Sequence, residues 1–225
     1  MKKFELTDEF VTNVFGHKLF RIKALVAFGD VEKGELGGFI EKEDNLSHDD
    51  NAWVYGNAQV SGNAWVSGNA QVSGNAWVSG NAQVFGDAQV FGDARVFGDA
   101  RVCGNAQVCG NAQVFGDAQV FGNAQVFDNA WVYGNAQVSG NAWVSGNAQV
   151  FGNADYAVVA GFGRYFRTTT FFRCKDKILR VQCGCFYGDL AQFREIVKKT
   201  HGDSKYAKEY LAIADLMELH FSDEY

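Results

Sequence analysis

The sequence predicts a parallel β-solenoid closed by a cap at each end. Three observations carry that prediction. Residues 51–154 repeat a six-residue unit, Gly-Asn/Asp-Ala-x-Val-y, and valine recurs at every sixth position from Val54 to Val150, 17 times in all. An alanine stands two positions before each valine, from Ala52 to Ala148. The 225 residues include no proline, which suits an unbroken ladder of backbone hydrogen bonds. A short fixed period means a solenoid, because one unit cannot bury an apolar face alone.

Each position of the unit has a physical reason. Alternate side chains of an extended segment point the same way, so Ala and Val share one side while x and y share the other. Position x is Trp, Gln or Arg (Trp53, Gln59, Arg95, Arg101), and burying Gln or Arg is costly. The Ala/Val pair therefore faces the core. Gly followed by Asn or Asp makes the corner, since both tolerate left-handed backbone. Three sides give roughly 18 residues per coil, hence about six coils stacked at about 4.8 Å.

The unit Val-y-Gly-Asn-Ala-x resembles the hexapeptide repeat of left-handed parallel β-helix proteins. The resemblance implies a left-handed β-helix, often assembled as a trimer, in a family that includes acyltransferases and carbonic anhydrases. The flanks, Leu36-Gly37-Gly38-Phe39-Ile40 and Thr168-Thr169-Thr170-Phe171-Phe172-Arg173, are similar to hexapeptide-repeat proteins of bacteriophages and prophages.

Residues 1–50 form the expected N-terminal β cap: a hairpin turning near Asn13 to His17, then a degenerate first coil from Gly34 to Ser47. Ile40 and Leu46 stand twelve and six residues before Ala52, which predicts that they share its register. Residues 155–225 predict a strand-plus-two-helix cap. Its strands lie near Tyr156–Val159, Thr168–Phe172 and Ile178–Val181, with a turn at Asp176-Lys177. Asp189 is placed to cap a helix to about Thr200, and a second helix runs from Ser204 to about Phe221.

The net charge of −6 argues against DNA or RNA as a partner, and no apolar run reaches membrane-spanning length. Met1-Lys2-Lys3-Phe4-Glu5 leads into no apolar stretch, so no signal peptide is expected. Five cysteines without a CxxC pair argue against a disulfide framework or a zinc site, and fit a reducing cytoplasm. Cys183 and Cys185 are expected on one side of a strand, in a structural role.

Along the repeat, y is Ser towards both ends and Phe in the middle: Phe85, Phe91, Phe97, Phe115, Phe121 and Phe127. At a period of 18 these stack in columns on three sides. That much outward phenylalanine predicts either an intrachain aromatic ladder or a homo-oligomer interface, a trimer by the resemblance, to which Arg95 and Arg101 contribute. Trp53, Trp65, Trp77, Trp131 and Trp143 flank the belt.

The coils contain no histidine; the four are His17, His48, His201 and His220. The acyltransferase and carbonic anhydrase chemistry of the resembling family needs histidines projecting from coils, so no catalytic set, metal site or cofactor is expected. The candidate site lies after the repeat. Residues 161–184 hold Arg164, Arg167, Arg173, Lys175, Lys177 and Arg180 against Asp176 alone, a balance of +5 in an acidic chain. Thr168, Thr169, Thr170 and several aromatic rings are interleaved. Arginine forks and hydroxyls suit phosphate or carboxylate, and rings can stack on a base. Gly161-Phe162-Gly163 could admit a ligand close to the backbone, and His201, Lys205 and Tyr206, at a helix start, could complete the site. The leading reading is a non-enzymatic protein that captures a small anionic, nucleotide-type ligand. The alternatives are an acyltransferase using His201, and a structural assembly protein.

Overall fold

A computed structural model describes residues 2–222. Three strands open the chain: β1 (Phe4–Thr12), β2 (Lys18–Ala24) and β3 (Leu36–Ile40). Seventeen two-residue strands follow, β4 (Trp53–Val54) to β20 (Gln149–Val150), one x-Val pair per hexad. Every third strand is hydrogen-bonded in parallel, giving three faces. One face continues through β3 and β2 to β1 as a nine-stranded sheet; the other two hold six and five strands. Partners across a face are 18 residues apart, as in Gln89↔Gln107 and Val90↔Val108. The chain is thus a β-solenoid of about six turns.

The alternation sets the core. All hexad alanines and valines are buried, in one cluster running the length of the prism. Each rung is closed by two backbone bonds: the x amide donates to the next coil's alanine carbonyl, and the y amide to its valine carbonyl. The corner glycines have φ between +61° and +74°. Asparagine side chains add a ladder outside, as where Asn63 donates to Asn81 at 3.2 Å and Asn81 to Asp99 at 2.9 Å.

The first coil departs from the expected register. Ile40 pairs with Val60 and Leu46 with Val66, so both occupy valine positions rather than that of Ala52. The corner before Val54 is two residues longer than the others, and Asp50 takes φ +53° there. Lys3 supports this enlarged corner. Its ammonium, almost wholly buried, donates to the carbonyls of Asp49, Asp50 and Ala52. Burial pushes the Lys3 pKa down to about 8, against the opposing pull of Asp50 and Asp49. Trp53 is also not an outward belt residue: Phe4 and Phe28 cover it and it is fully buried. Phe15, at the tip of the β1–β2 hairpin, packs over Trp77. Trp65, Trp131 and Trp143 remain exposed.

The C-terminal cap is an antiparallel sheet of β21 (Tyr156–Phe162), β22 (Arg167–Arg173), β23 (Leu179–Cys183) and β24 (Phe186–Asp189), in that order, covered by α1 (Leu190–His201) and α2 (Lys205–His220). Asp189 caps α1 by accepting from the Gln192 amide, and Gly202 ends it; Ser204 caps α2. Phe171, Val181, Phe193, Tyr210 and Met217 form a second core between this sheet and the helices.

No coil follows the last one, so its backbone groups need other partners. Cap side chains supply them. The Trp143 amide donates to the Thr170 hydroxyl, the Gln137 amide to Asn153, and the Tyr156 hydroxyl to the Gln137 carbonyl. Ser145 donates to Gln182.

Candidate ligand-binding cleft

The β21–β22 hairpin turns through Gly163-Arg164-Tyr165-Phe166, with Gly163 at φ +71° and Phe166 at +52°. This places Arg164 and Arg167 at the two sides of a tip whose centre is the exposed Tyr165 ring. Both guanidinium groups lie over that ring, at 5.5 Å and 5.0 Å. Neither has a carboxylate partner among the described residues. The hairpin is tied to α2, because the Gly163 amide donates to Glu209. A Cβ on Gly163 would collide with Tyr210, so this glycine serves packing inside the cap.

Between the tip and the C-terminal end of α1 lies a cavity of about 190 Å³. Arg164, Tyr165, Arg167, His201 and Tyr210 line it together with Cys183, Cys185, Phe186, Phe193, Ile196, Val197 and Thr200. It holds no carboxylate. Burial, with Cys183 alongside, pushes the Tyr210 pKa up to about 12, so its hydroxyl stays protonated. The Thr169 hydroxyl donates to Cys183 Sγ at 3.2 Å.

Arg167 also borders a second cavity, of about 430 Å³, between the cap and the solenoid. Its other walls are Thr168 and Gly184 from the cap, and Asn123, Gln125, Asn141 and Trp143 from the last coils of one face. Gly184 leaves room for the arginine: a Cβ there would fall 2.6 Å from Arg167 Nη1.

The basic stretch is therefore divided. Arg164, Arg167, Thr168 and His201 reach these two cavities, and the rest do not. Thr169 and Thr170 are buried, one bonded to Cys183 and the other ending the Trp143 rung. Arg173 donates to the Phe221 carbonyl and lies 3.9 Å from Asp155, so it fastens α2 to the sheet. Arg180 is paired with Asp176 at 2.8 Å. Lys175 is in the exposed turn beyond, where its amide donates to the Asn147 carbonyl. Lys205 is exposed and 3.5 Å from Glu209, and Tyr206 is outside both cavities. His201 enters as the last residue of α1, so the α2 N-terminus plays no part. Alternation puts Arg173 and Arg167 on one side of β22, but six residues of strand separate their ends, a distance that composition does not reveal.

Cys183 and Cys185 do not share a strand face. Gly184 and Cys185 form the two-residue turn between β23 and β24, leaving Cys183 half-buried and Cys185 exposed. Sequence reasoning also missed Gln125, Asn141 and Trp143, since each sits in a hexad like its neighbours. Their distinction is position: they end the stack beside Arg167.

The oligomer candidates are half-buried along the corners. Phe97 stacks on Phe115 at 4.9 Å and nearly parallel, Phe115 on Tyr133 at 5.1 Å, and Phe151 closes the column edge-on. Phe85 and Phe121 flank Cys103, and Phe91 and Phe127 flank Cys109, each 18 residues apart. Arg95 and Arg101 are exposed on two different faces.

Eight stretches between residue 52 and residue 152 match the family described as YdcK beta solenoid repeat: 52–68, 58–74, 70–86, 88–104, 106–122, 118–134, 124–140 and 136–152. The chain is a repeat β-helix protein. The match lies wholly within the coils, so it covers neither cap nor the Arg164–Arg167 hairpin. No curated protein matches the chain. No helix among the described residues is long and apolar enough to cross a membrane.

Proposed function

We propose that the protein is a non-enzymatic binding module that captures a small anionic, nucleotide-type molecule in the cleft around Arg167. One observation carries this reading. Arg164 and Arg167 stand without carboxylate partners beside aromatic and apolar walls, whereas Arg173, Arg180 and Arg194 of the same cap are engaged. Guanidinium groups left free at a partly apolar cleft favour phosphate or carboxylate, because the interaction is stronger away from bulk water. The similarity of the flanks to phage proteins makes a host nucleotide signal in the cytoplasm the natural candidate. In this reading the protein works as a homo-oligomer, with a trimer favoured by the resemblance to left-handed β-helix proteins.

The test is a thermal-shift and calorimetric screen against linear and cyclic nucleotides, with mass spectrometry of the recovered ligand. A nucleotide that binds and returns intact is the expected result. Replacing Arg164 and Arg167 together by alanine should weaken it at least about a hundredfold, as befits two charge-assisted contacts. Arg173→Ala should leave affinity unchanged while lowering the melting temperature. A chemically altered ligand would refute capture and revive the enzymatic reading, and no binding at all would favour the assembly reading.

A further inference from the structure

The cavity on the solenoid side of Arg167 has its own chemistry. The corner asparagines form a ladder in which Asn105 donates to Asn123 at 3.0 Å and Asn123 to Asn141 at 3.0 Å. The ladder stops at Asn141, because no coil follows with another acceptor. Its amide NH₂ therefore has no partner among the described residues. The same holds for the Gln125 amide and the Thr168 hydroxyl, both half-buried. Three donors without acceptors and the unpaired Arg167 guanidinium thus converge on one cavity.

Its remaining wall is Trp143. Phe127 holds this indole edge-on at 6.3 Å, and the amide of Trp143 is fixed by Thr170. Yet 37% of the residue stays exposed. The cavity thus combines a positioned aromatic face, neutral donors around its rim and one cation on its far side. That combination matches a planar heteroaromatic ring rich in acceptors and joined to a phosphate. A base stacked on Trp143 would present its edge to the Gln125 and Asn141 amides and its phosphate to Arg167.

We infer that this cavity is the base subsite of the cleft, taking the nucleobase of a nucleoside phosphate whose phosphate sits at Arg167. This inference rests on the proposed capture of an anionic nucleotide. It adds the part of the ligand that gives selectivity, and it assigns that role to the solenoid rather than the cap.

The experiment is calorimetry on the full chain with four probes: nucleoside 5′-monophosphates, free nucleosides, pyrophosphate and a uronic acid. Trp143→Ala should weaken nucleoside monophosphates at least about tenfold and leave pyrophosphate unchanged, while Arg167→Ala weakens both. Gln125→Ala keeps the ring platform and should narrow the differences in affinity among the four bases. Trp131→Ala, an equally exposed tryptophan on another face, controls for loss of a surface indole and should change nothing. Circular dichroism confirms that each variant is folded. Loss of binding in Arg167→Ala with unchanged monophosphate affinity in both Trp143→Ala and Gln125→Ala would overturn the base subsite and leave anion capture standing. Uronic acid binding that depends on Trp143, without nucleotide binding, would overturn it in favour of an acidic sugar. No binding of any anion would remove the proposed function itself.

Discussion

At the scale of single residues, the corner glycine is constrained twice. Gly98 takes φ +74°, where a side chain is strained, and a Cβ there would lie 3.0 Å from the Gly116 amide nitrogen of the next coil. The neighbour is backbone within a closed rung and has little room to move. Gly98→Ala should therefore destabilise the protein by about 1–3 kcal/mol, more than the left-handed backbone alone would cost. Chemical denaturation measures this, and a midpoint equal to that of the wild type would show that coils separate more easily than the packing implies. Asp128 marks the exception among corners. It takes φ +60° in a glycine position, and its carboxylate accepts from the Gly146 amide one coil on, which offsets the strain.

At the scale of elements, the proposed homo-oligomer rests on the corner columns. The column Phe97, Phe115, Tyr133 and Phe151 is continuous: the first three rings stack face to face and Phe151 meets Tyr133 edge-on. The other two are interrupted by Cys103 and Cys109, whose thiols burial holds above their usual pKa and so in the neutral form. The continuous column is the one suited to pack against copies of itself about a three-fold axis. Sedimentation should give three times the 24.7 kDa chain mass, and Phe97→Ser with Phe115→Ser should return it to a single chain. A wild-type protein that sediments at 24.7 kDa would reduce the column to an intrachain ladder.

At the scale of the whole molecule, what was legible in the sequence follows from what the repeat encodes. Val54 to Val150 specify the coils, because a six-residue period with Gly at φ > 0 allows few other solutions. Asp189, Gly202 and Ser204 likewise announce their helix ends through local chemistry. The first coil was misregistered because the longer corner is stabilised by Lys3, some 46 residues away in sequence. The basic cluster was half legible: charge marks Arg164 and Arg167, but only the cap's packing tells them from Arg173 and Arg180. Gln125 and Trp143 were hidden, since a site made from the end of a stack has no local signature. The same modularity separates stability from binding. Removing residues 94–111 joins Asp93 to Ala112 and keeps the hexad frame, both caps and all residues of the two cavities. Stability in such arrays is a sum over units and their interfaces. The shortened protein should fold with a lower denaturation midpoint and bind the same ligand within about twofold. Lost affinity in a folded product would mean that the excised coils reach the site, through Arg95, Arg101 or an intersubunit contact.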